Sequence, residues 1–180
     1  MVADEQLVER VARGDMQALD ALLARHERPL AHFLHRRTGG RDVEDLNQET
    51  WLRVVRHAAR FESDKRFRTW LYQIAVNVCR DWGRRQARSP QAADGVAEIA
   101  VTPIARADAA LDAERLLACL PDEQREVVVL RYLRDVSVAE AAEILGCPQG
   151  TVKSRLHHAI VSLSGLIADE AEGTDDGATD

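Results

Sequence analysis

The sequence predicts an all-α protein: two small helical domains joined by a flexible linker, the C-terminal one containing a helix-turn-helix. Three observations lead there. Ala, Leu, Val, Glu and Arg dominate, and apolar residues make up 46% of the chain while aromatics make up only 4%. That composition favours helices over sheets. No run alternates apolar and polar residues between turn signals, as a half-buried strand would. Finally, residues 89–108 (SPQAADGVAEIAVTPIARAD) lose the helical period and gather Ala, prolines and turn residues, which reads as a linker.

The N-terminal block spans about Asp4 to Arg88. Leu7, Val8 and Val11 predict a short first helix ending at Gly14. Asp15 caps the second, whose apolar positions include Leu19, Leu22, Leu23, Leu30, Phe33 and Leu34. Pro29 predicts a kink within it, and Gly39-Gly40 close it. The third helix starts near Asp42 and carries Val43, Leu46, Trp51, Val54 and Val55. FESDKRF reads as a loop, and a long helix follows from about Arg68. At about 100° per residue, Gln73, Asn77, Arg80, Arg84 and Arg88 fall in one stripe of that helix, with Trp70 at its edge. Leu71, Ala75, Val78 and Trp82 fall on the opposite, core-facing side. Gly83 weakens the helix by roughly 1 kcal/mol relative to Ala.

Beyond the linker, helices are expected around Leu111–Leu120 and from Pro121 to about Leu133. The helix-turn-helix follows. Ser137 and Glu140 have the spacing of a capping box, and Ala142, Ile144 and Leu145 give the first helix an apolar side. Gly146 supplies a left-handed terminator, and Pro148 suits the first turn of the next helix. Val152, Leu156, Ala159, Ile160 and Leu163 repeat at helical spacing as a buried stripe. The other side carries Thr151, Ser154, Arg155 and His158, with Lys153 and His157 at its edge.

The formal net charge of −6 argues against nucleic acid only when it is averaged over the chain. The segment 169–180 holds six acids and no base, and reads as an acidic disordered tail. Lys65 to Arg88 has seven bases against one acid, and no acid occurs from Cys147 to Gly165. Phosphates respond to such local potential rather than to net charge. Arginines hold phosphates, an Asn can recognise a base edge, and an aromatic can stack on an unpaired base. The long helix therefore suits single-stranded or opening DNA, and the helix-turn-helix suits the duplex major groove. A polar stripe can equally be a solvated helix face, and Trp70 fits packing as well as stacking.

Other classes find little support. There is no Gly-rich phosphate loop, zinc-protease motif or nucleophile motif, so no enzymatic activity and no cofactor are expected. His26, His32 and His35 share one helix without a cysteine or carboxylate cluster, so no metal site is expected. Cys79, Cys119 and Cys147 are widely spaced, as free thiols in a reducing compartment would be. With no apolar run of membrane-spanning length and no signal-peptide pattern, the expected location is cytoplasmic, without direct membrane insertion. An ordinary helix-turn-helix regulator and a DNA-free decoy remain as alternatives.

Three segments in order resemble the extracytoplasmic-function (ECF) sigma factors of bacterial RNA polymerase, of the sigma-70 class. They are DVEDLNQETWLRV (42–54), FRTWLYQIAVN (67–77) and LPDEQREVVVLRYL…GCPQGTVKSR (120–155). The resemblance implies that residues 1–88 form region 2, which binds core polymerase and recognises and melts the minus 10 element. It implies a linker at 89–108 and region 4, which reads the minus 35 element, at 109–168. Asp45, Gln48 and Glu49 would dock on the clamp helices of the beta-prime subunit; without the resemblance they read as solvated surface or capping groups. Lys65, Arg66, Arg68, Trp70, Gln73, Asn77, Arg80 and Arg84 would meet the minus 10 DNA, with Asn77 reading an extruded base. Thr151, Lys153, Ser154, Arg155, His157 and His158 would meet the minus 35 DNA. Family members often carry Arg where this chain has His158 and Ile160, which predicts weaker or altered minus 35 binding. The implied partners are core RNA polymerase (beta-prime clamp helices and beta flap), promoter DNA and an anti-sigma factor.

Overall fold

A computed structural model describes residues 2–88, 115–133 and 136–173. The linker expected at 89–108, the start of the helix expected around Leu111 and the end of the acidic tail lie outside the described residues. Among those described, all regular structure is helical, and the chain divides into two units.

The N-terminal unit contains α1 (Asp4–Ala12), α2 (Met16–Thr38), α3 (Val43–His57) with a 3₁₀ turn at Ala58–Arg60, and α4 (Phe67–Arg88). Leu7 and Val8 from α1, Leu22, Leu30, Phe33 and Leu34 from α2, Val54 from α3, and Phe67, Leu71 and Val78 from α4 are buried in its core. The punctuation follows the sequence closely. Gly14 and Gly39 take positive φ, and the Asp15 carboxylate accepts from the amides of Gln17 and Ala18. α2 continues through Pro29 to Thr38 and closes at Gly39 as expected, and α4 continues through Gly83 to Arg88. Asp42 does precede α3, but its φ of +52° is left-handed and its side chain makes no cap. That geometry sends the carboxylate to α4, where it accepts from Trp82 Nε1 at 2.7 Å and from Gln86 at 3.3 Å. Trp82 is consequently half-buried, not a core residue, and Arg41 lies over its ring at 5.1 Å.

α1 is tied down by its two acids. Asp4 accepts from Arg25 at 2.5 Å and lies 2.6 Å from His26 Nε2. Glu5 accepts from the Phe67 amide at 3.0 Å, capping α4 from 62 residues away in sequence. Burial alone would raise the Asp4 pKa, but the hydrogen bonds from Arg25 and His26 outweigh it and hold the carboxyl below its ordinary 3.8. A carboxyl depressed by folding stabilises fully above its ordinary value, and that contribution is lost as pH falls through the folded value. The N-terminal unit should therefore weaken below about pH 4 more steeply in the wild type than in Asp4→Asn. Urea unfolding followed by tryptophan fluorescence across that range checks this. All three tryptophans lie in this unit.

The C-terminal unit comprises a helical turn at 115–118, α5 (Asp122–Val128), a wider π turn at Val129–Leu133, α6 (Val138–Leu145) and α7 (Gln149–Gly173). The helix expected from Pro121 to Leu133 thus changes its winding part-way. Arg125 donates to the carbonyls of Leu117, Ala118 and Leu120 at 2.7, 3.0 and 2.8 Å, tying the preceding turn to α5. The capping box forms as expected: the Ser137 amide donates to Glu140 at 2.9 Å and the Glu140 amide to Ser137 Oγ at 3.2 Å. Gly146 is left-handed, with φ +64°. α7 runs to Gly173, past the boundary expected at 168, so 169–173 are helical rather than part of a disordered tail. Val152, Leu156 and Ala159 are buried, but Ile160 is 46% exposed. At about 100° per residue Ile160 sits about 70° from the centre of that stripe, too far round to pack.

Candidate functional site

On α3, Asp45 and Gln48 are exposed and Glu49 is half-buried. Beside them, α2 and α3 enclose an open groove of about 560 Å³. Leu19, Leu23, Trp51, Leu52 and Val55 give it an apolar floor, and Glu27, Glu44 and Asp45 an acidic rim. Leu52 is 51% and Val55 40% exposed, although the periodicity placed Val55 on the packed side. Trp51 Nε1 and Asn47 Oδ1 are buried without a hydrogen-bond partner. Unpaired buried polar atoms are uncommon in native proteins, and here both belong to residues that line the groove. Trp51, Leu52 and Asn47 are members of this surface that sequence reasoning did not single out. The available signal was the apolar pair 51–52 next to Gln48 and Glu49, of which only Trp51 was read, as core.

A second groove, of about 750 Å³, runs between α3 and α4. A chain of alternating charges crosses it. Glu49 accepts from Arg53 Nε at 2.6 Å, Arg53 Nη1 donates to Asp81 Oδ2 at 3.0 Å, and Arg84 Nη2 donates to Asp81 Oδ1. Hydrogen bonds from Arg53 and Arg84 hold the Asp81 carboxyl below its ordinary pKa. Burial would lower the Arg53 pKa, but bonds to Glu49 and Asp81 raise it. The carboxylate expected to face polymerase and an arginine expected to face DNA are thus linked through two residues that the sequence reading passed over.

At the start of α4, Trp70 is half-buried against Phe61 and Phe67, with ring centroids 5.1 and 6.2 Å away. It packs and still presents an edge. Lys65 is exposed and paired with Glu62 at 2.8 Å, a surface pair that is readily exchanged. Arg66 is exposed and Arg68 half-buried. Farther along, Asn77 is exposed between buried Val76 and Val78, Gln73 and Arg80 are half-buried, and Arg84 is exposed.

On α7, Lys153, Ser154, His157 and His158 are exposed and Thr151 is half-buried. Ser154 Oγ donates to the Thr151 carbonyl at 3.1 Å, leaving its oxygen as an outward acceptor. Arg155 departs from the expected grouping. Its guanidinium donates to Glu123 of α5 at 2.6 Å, and its side chain is 22% exposed. It sits about 70° from the centre of the buried stripe, as far as Ile160 but on the opposite side, where Glu123 of α5 lies within reach. The polar outer face therefore rests on Lys153, Ser154, His157 and His158.

Comparison with known proteins gives the family. Residues 22–89 match the sigma-70 region 2 family and residues 110–163 match sigma-70 region 4. The ECF RNA polymerase sigma-E factor of Haemophilus influenzae is 33% identical over 173 residues, covering 88% of this chain and 92% of that protein. This chain belongs to the ECF sigma factor family. An ECF sigma factor is a non-enzymatic transcription initiation factor of RNA polymerase, and that is the function of this chain. Solved structures agree at the level of fold. The sigma factor RpoE, in complex with the anti-sigma factor NepR from Bartonella quintana, superposes with a TM-score of 0.74 at 28% identity, covering 83% of this chain and 96% of that one. CnrH, in complex with the cytosolic domain of CnrY, gives 0.71 at 29% identity, covering 93% of this chain and 99% of that one. No described helix of this ECF sigma factor is long and apolar enough to cross a membrane.

Proposed function

We propose that this sigma factor divides its work between its two units. Residues 1–88 bind core polymerase and open the minus 10 element, 89–108 link, and 109–168 hold the minus 35 element. The observation that carries the first assignment is Asn77, an exposed amide flanked by buried valines on the helix that starts at Phe67 and carries Trp70. An extruded base costs a few kcal/mol to unstack, which a fitted hydrogen-bonding side chain repays only for the right base. Lys65, Arg66, Arg68, Gln73, Arg80 and Arg84 hold the surrounding phosphates, and Trp70 supports the opened strand. Asp45, Gln48 and Glu49, with the apolar groove beside them, receive the beta-prime clamp helices, and the acidic rim suits a basic partner. Lys153, Ser154, His157 and His158, with Thr151 at their edge, meet the minus 35 duplex. The C-terminal unit engages the beta flap. An anti-sigma factor, the class of partner bound to RpoE in its solved complex, covers these polymerase-facing surfaces of this chain, and the protein works in the cytoplasm.

Reconstituted transcription tests the reading. Added to core enzyme, the protein should start RNA synthesis at a promoter of its own regulon, and correctly folded protein that initiates nowhere refutes it. Asn77→Ala should lower discrimination at the minus 10 element by roughly tenfold, as loss of one good base contact does, with core affinity unchanged. An equal loss of core affinity would make Asn77 structural.

A further inference from the structure

We infer that Arg53 and Asp81 form a charge relay through which occupation of the polymerase-facing surface at Glu49 releases Arg84 for DNA. The inference rests on the assignments of Glu49 and Arg84 above; Arg53 and Asp81 have no role in those assignments and act only by positioning Arg84. The geometry is a competition of two arginines for one carboxylate charge. Asp81 uses both carboxylate oxygens, one on Arg53 and one on Arg84, while Arg53 spends its Nε on Glu49. Arg53 therefore reaches Asp81 through Nη1. A cationic partner that takes Glu49 removes one acceptor from Arg53. Its planar fork then has reason to close on Asp81 in the bidentate geometry that arginine and carboxylate favour. Arg53 then neutralises Asp81 more fully, and the exposed pair between Asp81 and Arg84 weakens.

Arg84 is well placed to use that freedom. Its side chain is 66% exposed, and it lines the same groove as Arg85 and Arg88. An arginine already neutralised by a carboxylate attracts phosphate weakly, and a released one adds a full charge to the DNA-facing side. The binding energies of two ligands coupled in this way must be reciprocal. Because the pairs are part-exposed, the coupling belongs at the low end, about two- to fivefold in affinity.

A double-mutant cycle on the full-length chain tests the relay, with a fluorescent single-stranded minus 10 oligonucleotide as the probe. Glu49→Gln removes the charge with which Glu49 holds Arg53, leaving only a weaker neutral acceptor, and should tighten oligonucleotide binding about two- to fivefold. In an Arg53→Met background the same Glu49→Gln change should have no effect. If the tightening persists in Arg53→Met, it comes from the lost negative charge acting through space, and the relay is wrong while the assignments of Glu49 and Arg84 stand. Arg84→Ala should weaken binding and abolish the response to Glu49→Gln. If Arg84→Ala leaves oligonucleotide affinity unchanged, Arg84 is not a DNA contact, and the assignment fails together with the relay. Thermal unfolding of Arg53→Met, followed by tryptophan fluorescence, verifies that the background is folded, and Arg53→Lys, which cannot form the fork, provides a milder second background with the same expected loss of coupling.

Discussion

Phe67→Ala is expected to destabilise the N-terminal unit by about 3–5 kcal/mol, the range for removing a fully buried aromatic from a core. Phe67 is fully buried at the first position of α4, and three rings surround it. His26 lies 5.2 Å away edge-on, Trp70 6.2 Å and Phe61 6.4 Å between centroids. Its amide is also the group that Glu5 caps from α1. The side chain thus closes the loop from Phe61, holds Trp70 and seats α1 at once, and a cavity there cannot collapse without moving a backbone that is pinned by a hydrogen bond. Urea unfolding followed by tryptophan fluorescence should show the loss directly, because Trp70 packs beside Phe67 and every tryptophan belongs to this unit. Phe67→Leu, which keeps most of the volume, should cost much less. Promoter opening should fall with Phe67→Ala even where enough folded protein remains to bind core polymerase, since the loop carrying Lys65 and Arg66 loses its anchor. A Phe67→Ala variant that unfolds at the wild-type urea concentration would show that the aromatic cluster is not what orders the start of α4.

Much of this architecture was legible because it is written in local signals. Asp15, Gly39, the Ser137–Glu140 box and Gly146 each act within a few residues, through backbone groups that the helix leaves unpaired, and all four behave as their sequence context implies. What was not legible depends on partners distant in the chain. Asp42 marks the start of α3 in the sequence, but nothing local shows that its side chain ties α4. Trp82 looked like core and instead donates its indole N–H to Asp42. Arg155 was read as a DNA contact alone, without its pair to Glu123, 32 residues earlier. Helical periodicity places a residue to within a few tens of degrees, so positions near the border of a stripe, such as Arg155, Ile160 and Val55, fall on either side according to what a neighbouring helix offers. The same limit hid Arg53 and Asp81. Each looks like an ordinary surface charge until α3 and α4 are side by side.

Arg125→Ala should be the most damaging single polar substitution in the C-terminal unit, at about 2–4 kcal/mol, the cost of stripping charge-assisted hydrogen bonds from the carbonyls that end a helical segment, although the Leu117 carbonyl keeps the Leu120 amide as a second donor at 3.2 Å. The side chain is only 15% exposed, and its fork spans the end of one helical segment and the beginning of the next. Nε takes Leu117, Nη2 takes both Ala118 and Leu120, and Nη1 lies 3.3 Å from Asp122. The last carbonyls of a helix have no partner within it, and a guanidinium is among the few side chains able to reach several of them together. Leu117 and Leu120 are buried, so water is a poor substitute around them, whereas Ala118 is exposed and can be rehydrated. That difference keeps the expected loss below the sum of three full bonds. Lysine supplies a point charge without the fork, so Arg125→Lys should recover less than half of the loss. Because the tryptophans all report on the other unit, the effect should appear as a helical melting step in circular dichroism with tryptophan fluorescence unchanged. In transcription it should remove the advantage conferred by a minus 35 element while leaving minus 10 discrimination intact. A variant that lost both would mean that Arg125 stabilises more than the unit it sits in.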